Sequence, residues 1–177
     1  MTMKMYFLLL CYMISAAIVH AEQICKPASV PASTPDSQLI DNNNGTVTDS
    51  ATGLMWKKCL EGLSGDNCEI GTPGEFTWQE ALQQPGSVNT TGGFAGHTDW
   101  RLPNINELVS LVEEQCYNPA INLSRFPNTP NFYVWSGSPC AGGNTWAWLV
   151  DFEDGGSVSF YRGPPNFFAV RLVRGGN

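Results

Sequence analysis

The sequence is poor in charge, and most of the charge that it carries is negative. Charged residues make up only 14% of the 177 residues, and 16 acidic residues against nine basic ones give a net charge of −7. Binding to nucleic acid requires clustered lysine and arginine side chains against the phosphates, and adhesion to anionic membranes requires the same. The composition therefore argues against both classes of partner. The hydrophobic share of 42% also excludes a charge-rich disordered chain.

Motifs for catalysis and metal binding are scarce too. The chain has two histidines, no cysteine pair with the Cys-x-x-Cys spacing of zinc and redox sites, and no Gly-x-Ser-x-Gly or phosphate-binding glycine-rich motif. His97 lies beside Asp99 and could orient a nucleophile, but its glycine-rich surroundings favour an ordinary loop residue. We therefore expect a non-enzymatic protein with no catalytic residue and no zinc.

Residues 1–21 have the pattern of a secretory signal peptide. Lys4 is the only charge before an apolar run from Met5 to Val19, and small residues at Val19 and Ala21 fit a cleavage site. The run is shorter than the ~20 residues that span a bilayer. The sequence predicts cleavage after Ala21 and export to the periplasm, the cell surface or the medium, without membrane insertion of the mature chain.

The cysteine content agrees with export, since several cysteines in an exported chain are usually cross-linked. Removal of the signal would leave five of the six cysteines, and several pairings are open. Closure of the nearest loops predicts Cys59–Cys68 and Cys116–Cys140. Cys25 would then remain as a free thiol or an intermolecular link.

Residues 22–38 are rich in proline and serine, with prolines at every fourth position of one stretch (Pro27, Pro31 and Pro35). This composition predicts an extended linker, with the domain covering residues 39–177. Short strands are expected over residues 46–48 and 54–56. A capping box of Thr77 and Glu80 predicts a helix that ends near Gln84, before Pro85.

A second capping box, formed by Asn104 and Glu107, predicts a helix that continues to about Cys116. Later segments indicate strands over residues 145–152, 157–161 and 169–173, with a tight hairpin turn at residues 153–156. Two early helices and late antiparallel strands predict an α+β domain.

Three ordered segments carry a family resemblance: residues 41–56 (DNNNGTVTDSATGLMW), residues 96–108 (GHTDWRLPNINEL), and the strands from Tyr133 to Gly175. Together they resemble the Lcl C-terminal domain family, named after the Legionella collagen-like protein. The resemblance implies a C-type-lectin-like fold related to formylglycine-generating enzymes, and an exported bacterial domain; the founding protein is an adhesin for sulfated glycans. Family members often have cysteine where Leu172 stands, which leaves Cys140 free for Cys116.

The loops between residues 136 and 162 hold the polar and aromatic side chains that suit carbohydrate binding. We therefore expect an adhesin or carbohydrate-binding module for a surface glycan or a protein ligand. Because the acidic composition offers no obvious basic groove for a sulfated glycan, a neutral sugar or a protein is at least as plausible a ligand. The alternative is an assembly component of a bacterial envelope complex, tethered through Cys25. The candidate ligand-binding residues are Trp135, Asn144, Asp151, Glu153, Asp154, Tyr161 and Arg162.

No cofactor is expected, with Ca²⁺ as the one open question. The loop from Asp41 to Asp49 is rich in oxygen ligands but lacks the EF-hand register, and is interpreted as an asparagine-rich turn. Asp151, Glu153 and Asp154 form a second acidic group, whose sequence also fits a turn. Arg101 is assigned a structural role, bonding loop carbonyls or Asp99. The alternating side chains from Trp146 to Phe152 are assigned to the core.

Overall fold

The computed structural model describes residues 22–142 and 145–175. In these residues short, mostly antiparallel strands accompany two short helices, so the prediction of an α+β domain is confirmed. The elements are β1 (Ile24–Cys25), β2 (Leu39–Asp41), β3 (Thr46–Asp49), β4 (Leu54–Lys57), β5 (Leu63–Ser64), β6 (Ile70–Gly71), α1 (Trp78–Thr90), α2 (Ile105–Val109), β7 (Cys116–Tyr117), β8 (Tyr133–Pro139), β9 (Trp146–Asp151), β10 (Ser157–Tyr161) and β11 (Val173–Gly175).

The two largest sheets have the strand orders β11-β4-β3-β2 and β10-β9-β8. The expected hairpin joins β9 to β10, closed by the amide of Asp151 on the carbonyl of Gly156 at 2.8 Å. The predicted last strand is displaced: it begins at Val173, because Ala169 makes only an isolated parallel bridge to Val134.

The three-stranded sheet separates two hydrophobic cores. Because side chains alternate across a strand, Val134 and Val150 enter one core with the β2–β4 sheet and α2, whereas Trp135 and Leu149 enter the other with α1. All four side chains are at most 1% exposed. The middle of this sheet is therefore covered by a hydrophobic core on each face.

Helix α1 begins as the sequence predicts but does not end at Pro85. Both bonds of the capping box between Thr77 and Glu80 are present, and the helix continues through the proline to Thr90. The side chain of Asn89 donates to the carbonyl of Trp100 at 2.8 Å and accepts from its amide at 3.1 Å. These tertiary bonds hold the second half of the helix, which its sequence alone does not favour.

Helix α2 is shorter than predicted. Its capping box, formed by Asn104 and Glu107, is present, but the helix ends at Val109 and Ser110 caps it. The chain then turns, so that Leu111 is fully buried and Val112 forms a bridge with Ile121. The capping box therefore marks where this helix starts but not where it ends.

Residues 22–38 are not a free linker, contrary to the prediction; we call them the N-terminal strap. Strand β1 pairs with β7, which places Cys25 opposite Cys116 with their Cα atoms 4.0 Å apart, and the two form a disulfide. The predicted Cys116–Cys140 bridge is therefore wrong, as is Cys25 as an intermolecular tether, and Cys140 is a free thiol. The Cys59–Cys68 disulfide is confirmed.

The disulfides fit a domain that lies outside the cytoplasm. Neither helix in the described residues is long and apolar enough to cross a bilayer. The predicted signal peptide, residues 1–21, lies outside the described residues.

A buried carboxylate fastens the strap to the domain. Glu113 is 4% exposed, and its oxygens accept from the amides and hydroxyls of Ser33 and Thr34 at 2.9 to 3.3 Å. Burial alone would raise the pKa of Glu113, but the hydrogen bonds from Ser33, Thr34 and the amide of Gln115 outweigh it and lower this pKa. The charged form therefore stabilises the docked strap.

We expect Glu113→Gln to reduce the free energy of unfolding by about 1–3 kcal/mol at pH 7, because the amide cannot replace both acceptor oxygens. A carboxylate with a lowered pKa contributes stability above its unfolded pKa and loses it as the pH falls through its folded value. The difference between wild type and variant should therefore shrink towards pH 3 in urea unfolding. The exposed neighbour Glu114 provides the control Glu114→Gln; an equal effect of both substitutions would contradict this role.

Candidate ligand-binding site

One end of the three-stranded sheet carries exposed aromatic rings. Trp146 of β9 lies directly opposite Tyr161 of β10, so both side chains point to the same face of the sheet. Helix α2 packs against β8 and β9 and shields Val150 on this face, but Trp146 and Tyr161 remain 45% and 46% exposed. The alternating side chains from Trp146 to Phe152 were predicted to lie in the core, but the first of them, Trp146, is exposed.

An arginine is held in place at the same end of the sheet, with its guanidinium on the face that α1 covers. The Nε of Arg162 donates to the carbonyl of Trp146 at 2.8 Å, and its guanidinium lies 4.2 Å from the centre of the Trp78 ring. Trp78 is itself fixed, because its Nε1 donates to the carbonyl of Ser136 at 2.8 Å. The remaining N–H groups of the guanidinium have a defined position for an acceptor on a ligand.

The loop that follows β10 supports Tyr161. The side-chain amide of Asn166 donates to the carbonyl of Tyr161 at 3.1 Å. A Cβ atom at Gly163 would lie 3.1 Å from the tyrosine ring, so glycine allows the ring to approach the backbone closely. Phe167, in the same loop, is 40% exposed. We call the four residues at this end of the sheet, Trp146, Tyr161, Arg162 and Phe167, the aromatic surface.

Trp135 does not belong to this surface, contrary to its assignment as a ligand-binding residue. The residue is fully buried, and its Nε1 donates to the carbonyl of Phe76 at 2.7 Å. Its ring packs against Phe168, with centroids 4.9 Å apart. Pairing with Leu149 places Trp135 on the opposite face of the sheet from Trp146, which the sequence pattern did not show.

The acidic candidates lie at the other end of the hairpin. Asp151 and Asp154 each accept a backbone N–H within the turn, from Glu153 and Gly156 respectively. Asp151 also raises the pKa of the nearby Tyr133. Five residues of strand separate Asp151 from Trp146, a span of about 17 Å. The predicted site therefore divides into two groups, and Asn144 lies outside the described residues.

The oxygen-rich loop near the N-terminus is used within the fold. Burial opposes ionisation of Asp41, but hydrogen bonds from the Lys58 ammonium at 2.6 Å and the amide of Asn43 lower its pKa. Asp49 is fully buried and accepts from the side chains of Gln38 and Thr52. These contacts fit the asparagine-rich turn that the sequence favoured. No group of three or more metal-ligating side chains occurs in the part of the chain that the structure describes.

A profile of one family, the Lcl C-terminal domain, matches residues 45–174, which is most of the chain. The chain belongs to the Lcl C-terminal domain family. No curated protein matches it. The match covers the aromatic surface and both large sheets except β2 and the last residue of β11, and it leaves the N-terminal strap outside.

The Asp-Trp-Arg-Leu-Pro element of this Lcl C-terminal domain is structural. Arg101 makes a bidentate pair with Glu107, both bonds at 2.7 Å, and donates to the carbonyl of Gly175 at 2.9 Å. This pairing raises the pKa of Arg101. Asp99, the partner that the sequence suggested, instead accepts from Arg174. Trp100 is 2% exposed in the second core.

Leu172 also has a structural role in this Lcl C-terminal domain. Leu172 is fully buried in the core that contains Trp100 and Trp135. Cys140 directly follows β8, and its amide donates to the carbonyl of Trp146 at 3.0 Å. The supporting role of Trp78 was not predicted, because a tryptophan at the start of a helix carries no sequence signal for it.

Proposed function

We propose that this protein is an exported, non-enzymatic binding module that holds a carbohydrate on its aromatic surface. The observation that supports this most is the exposed cross-strand pair of Trp146 and Tyr161, with the fixed guanidinium of Arg162 at the same end of the sheet. Membership of the Lcl C-terminal domain family is consistent with an adhesin-like extracellular domain. The ring faces offer contact to the apolar face of a sugar, and the guanidinium offers donors to its hydroxyl oxygens.

The charge distribution favours a neutral sugar over a sulfated one. The whole chain carries −7, and the aromatic surface has one arginine. Sulfate groups generally require several converging cations. A single guanidinium supplies hydrogen bonds to hydroxyl groups without the same requirement.

The test is binding of the purified chain to a glycan array, followed by titration with the best glycan. We expect Trp146→Ser or Tyr161→Ser to weaken binding at least tenfold, as removal of an aromatic anchor commonly does. Ile40→Ser is the matched control, since Ile40 is 50% exposed on the other sheet and should leave binding unchanged. Equal losses in all three variants would contradict a site on the aromatic surface.

The same glycan array, run with calcium and then with a chelator, tests whether the acidic turn at Asp151, Glu153 and Asp154 binds the ligand. Binding that requires calcium and is lost in Asp151→Asn would move the ligand to the other end of the hairpin. An array without any binding would contradict a glycan ligand. The assembly role, through a protein partner, would then become the leading proposal.

A further inference from the structure

A groove lies on the side of the domain that carries the Cys59–Cys68 loop. Two adjoining depressions, of about 440 and 430 Å³, share Thr72, Pro73 and Pro130. Leu63 and Phe132 add apolar surface at either end. The groove uses none of the residues of the aromatic surface or the acidic turn, so it is a separate feature.

The walls of the groove are fixed to each other. The Cys59–Cys68 disulfide closes one wall, and the side chain of Asn128 donates to the carbonyl of Asn67 at 2.7 Å across to the other. Gly71 has a φ of 97°, and a Cβ atom there would lie 2.3 Å from the carbonyl oxygen of Gly62. Only glycine permits this approach of the backbone. The groove is therefore formed before any ligand arrives, which lowers the entropy lost on binding.

The charge of the groove has one sign. Its lining includes Glu69 and Glu75 and no lysine or arginine. The surrounding sequence repeats this bias, because residues 59–100 contain six acidic residues and no lysine or arginine. An apolar floor with carboxylates at its rim complements a ligand with apolar and cationic groups.

A free sheet edge runs beside this groove. In the described residues, β5 and β6 pair only with each other, so each strand has an outer edge without a strand partner. Ile70 and Gly71 of β6 are exposed. An exposed edge of this kind can pair with an extended peptide, which then places alternate side chains on one face.

We propose that this groove binds an extended peptide segment of a partner protein in which apolar and basic side chains alternate. The apolar side chains pack against Pro73, Pro130 and Phe132. The basic side chains pair with Glu69 and Glu75, and the peptide backbone bonds to the edge of the β5–β6 hairpin. The groove would act beside the glycan site, and it does not depend on that site.

The test is fluorescence polarisation of labelled peptides with the purified chain. The probe is a fluorescein-labelled Leu-Lys-Leu-Lys-Leu-Lys peptide, with peptides carrying Glu for Lys and Ser for Leu as controls. We expect the first to bind and both controls to bind at least fivefold more weakly. Glu69→Gln combined with Glu75→Gln should weaken binding at least fivefold, and Thr72→Trp should block the groove without removing charge.

The matched control is Glu22→Gln combined with Glu114→Gln, which removes the same charge from exposed positions outside the groove. Unchanged binding by this control supports the proposal. An equal loss in both double variants would overturn it, because attraction to the net negative charge would explain the binding. Absence of binding at millimolar protein, or equal binding of the Glu peptide, would overturn it as well. Circular dichroism spectra identical to wild type confirm that each variant is folded.

Discussion

Replacement of Cys25 and Cys116 by serine is expected to lower the free energy of unfolding by about 4–5 kcal/mol. The bridge spans 91 residues, and chain-entropy estimates for a closed loop of that length give about 4.6 kcal/mol. Loss of the bridge also frees the strap from β7. Urea unfolding followed by tryptophan fluorescence measures the change, with Cys140→Ser as the background so that no free thiol exchanges with the other bridge.

The second disulfide provides the comparison. Cys59–Cys68 spans only nine residues, and the same estimate gives about 2.6 kcal/mol for its removal. The variant without Cys25–Cys116 should therefore be the less stable of the two. The reverse order would show that the strap contributes little to the folded domain.

Arg171→Met is expected to lower the free energy of unfolding by about 3–5 kcal/mol, because buried acceptors that lose their donor cost about 1–3 kcal/mol each. Arg171 is 1% exposed, and its guanidinium donates to the carbonyls of Lys57 and Lys58 and to the Thr129 hydroxyl. Burial lowers the pKa of Arg171 to about 9, so the group stays charged at neutral pH. Methionine fills the volume but leaves these acceptors without a donor.

Arg174 is the matched control for this prediction. Its bonds to Asp99 are exposed to solvent, and Arg174→Met should lower stability by less than about 1 kcal/mol. Thermal unfolding of both variants at pH 7 compares them directly. Similar midpoints for the two variants would show that the buried guanidinium is replaceable by apolar volume.

Local sequence patterns predicted those parts of the fold that neighbouring residues determine. The capping boxes at Thr77 and Asn104 and the hairpin turn after Asp151 depend on bonds between residues a few positions apart. The ends of the helices were not predictable in this way. Helix α1 continues past Pro85 because Asn89 bonds to Trp100, a contact that no local pattern reveals.

The candidate site was predictable in its residue types but not in its arrangement. Tyr161 and Arg162 lie on the surface as expected. Period-2 alternation places Trp146 and Val150 on one face of β9, but it does not show that α2 covers only one of them. Trp135 was predicted to bind the ligand because an aromatic side chain near these loops suits carbohydrate stacking. Its burial follows from the register of β8 on β9.

The contacts of the N-terminal strap determine where this protein can be truncated. The family match begins at residue 45, and a fragment designed on that boundary would lack Cys25, Ser33 and Thr34. Such a fragment would hold Glu113 without most of its donors and would carry two odd thiols, at Cys116 and Cys140. The folded domain therefore includes contacts made from Cys25 onward, twenty positions before the family match begins.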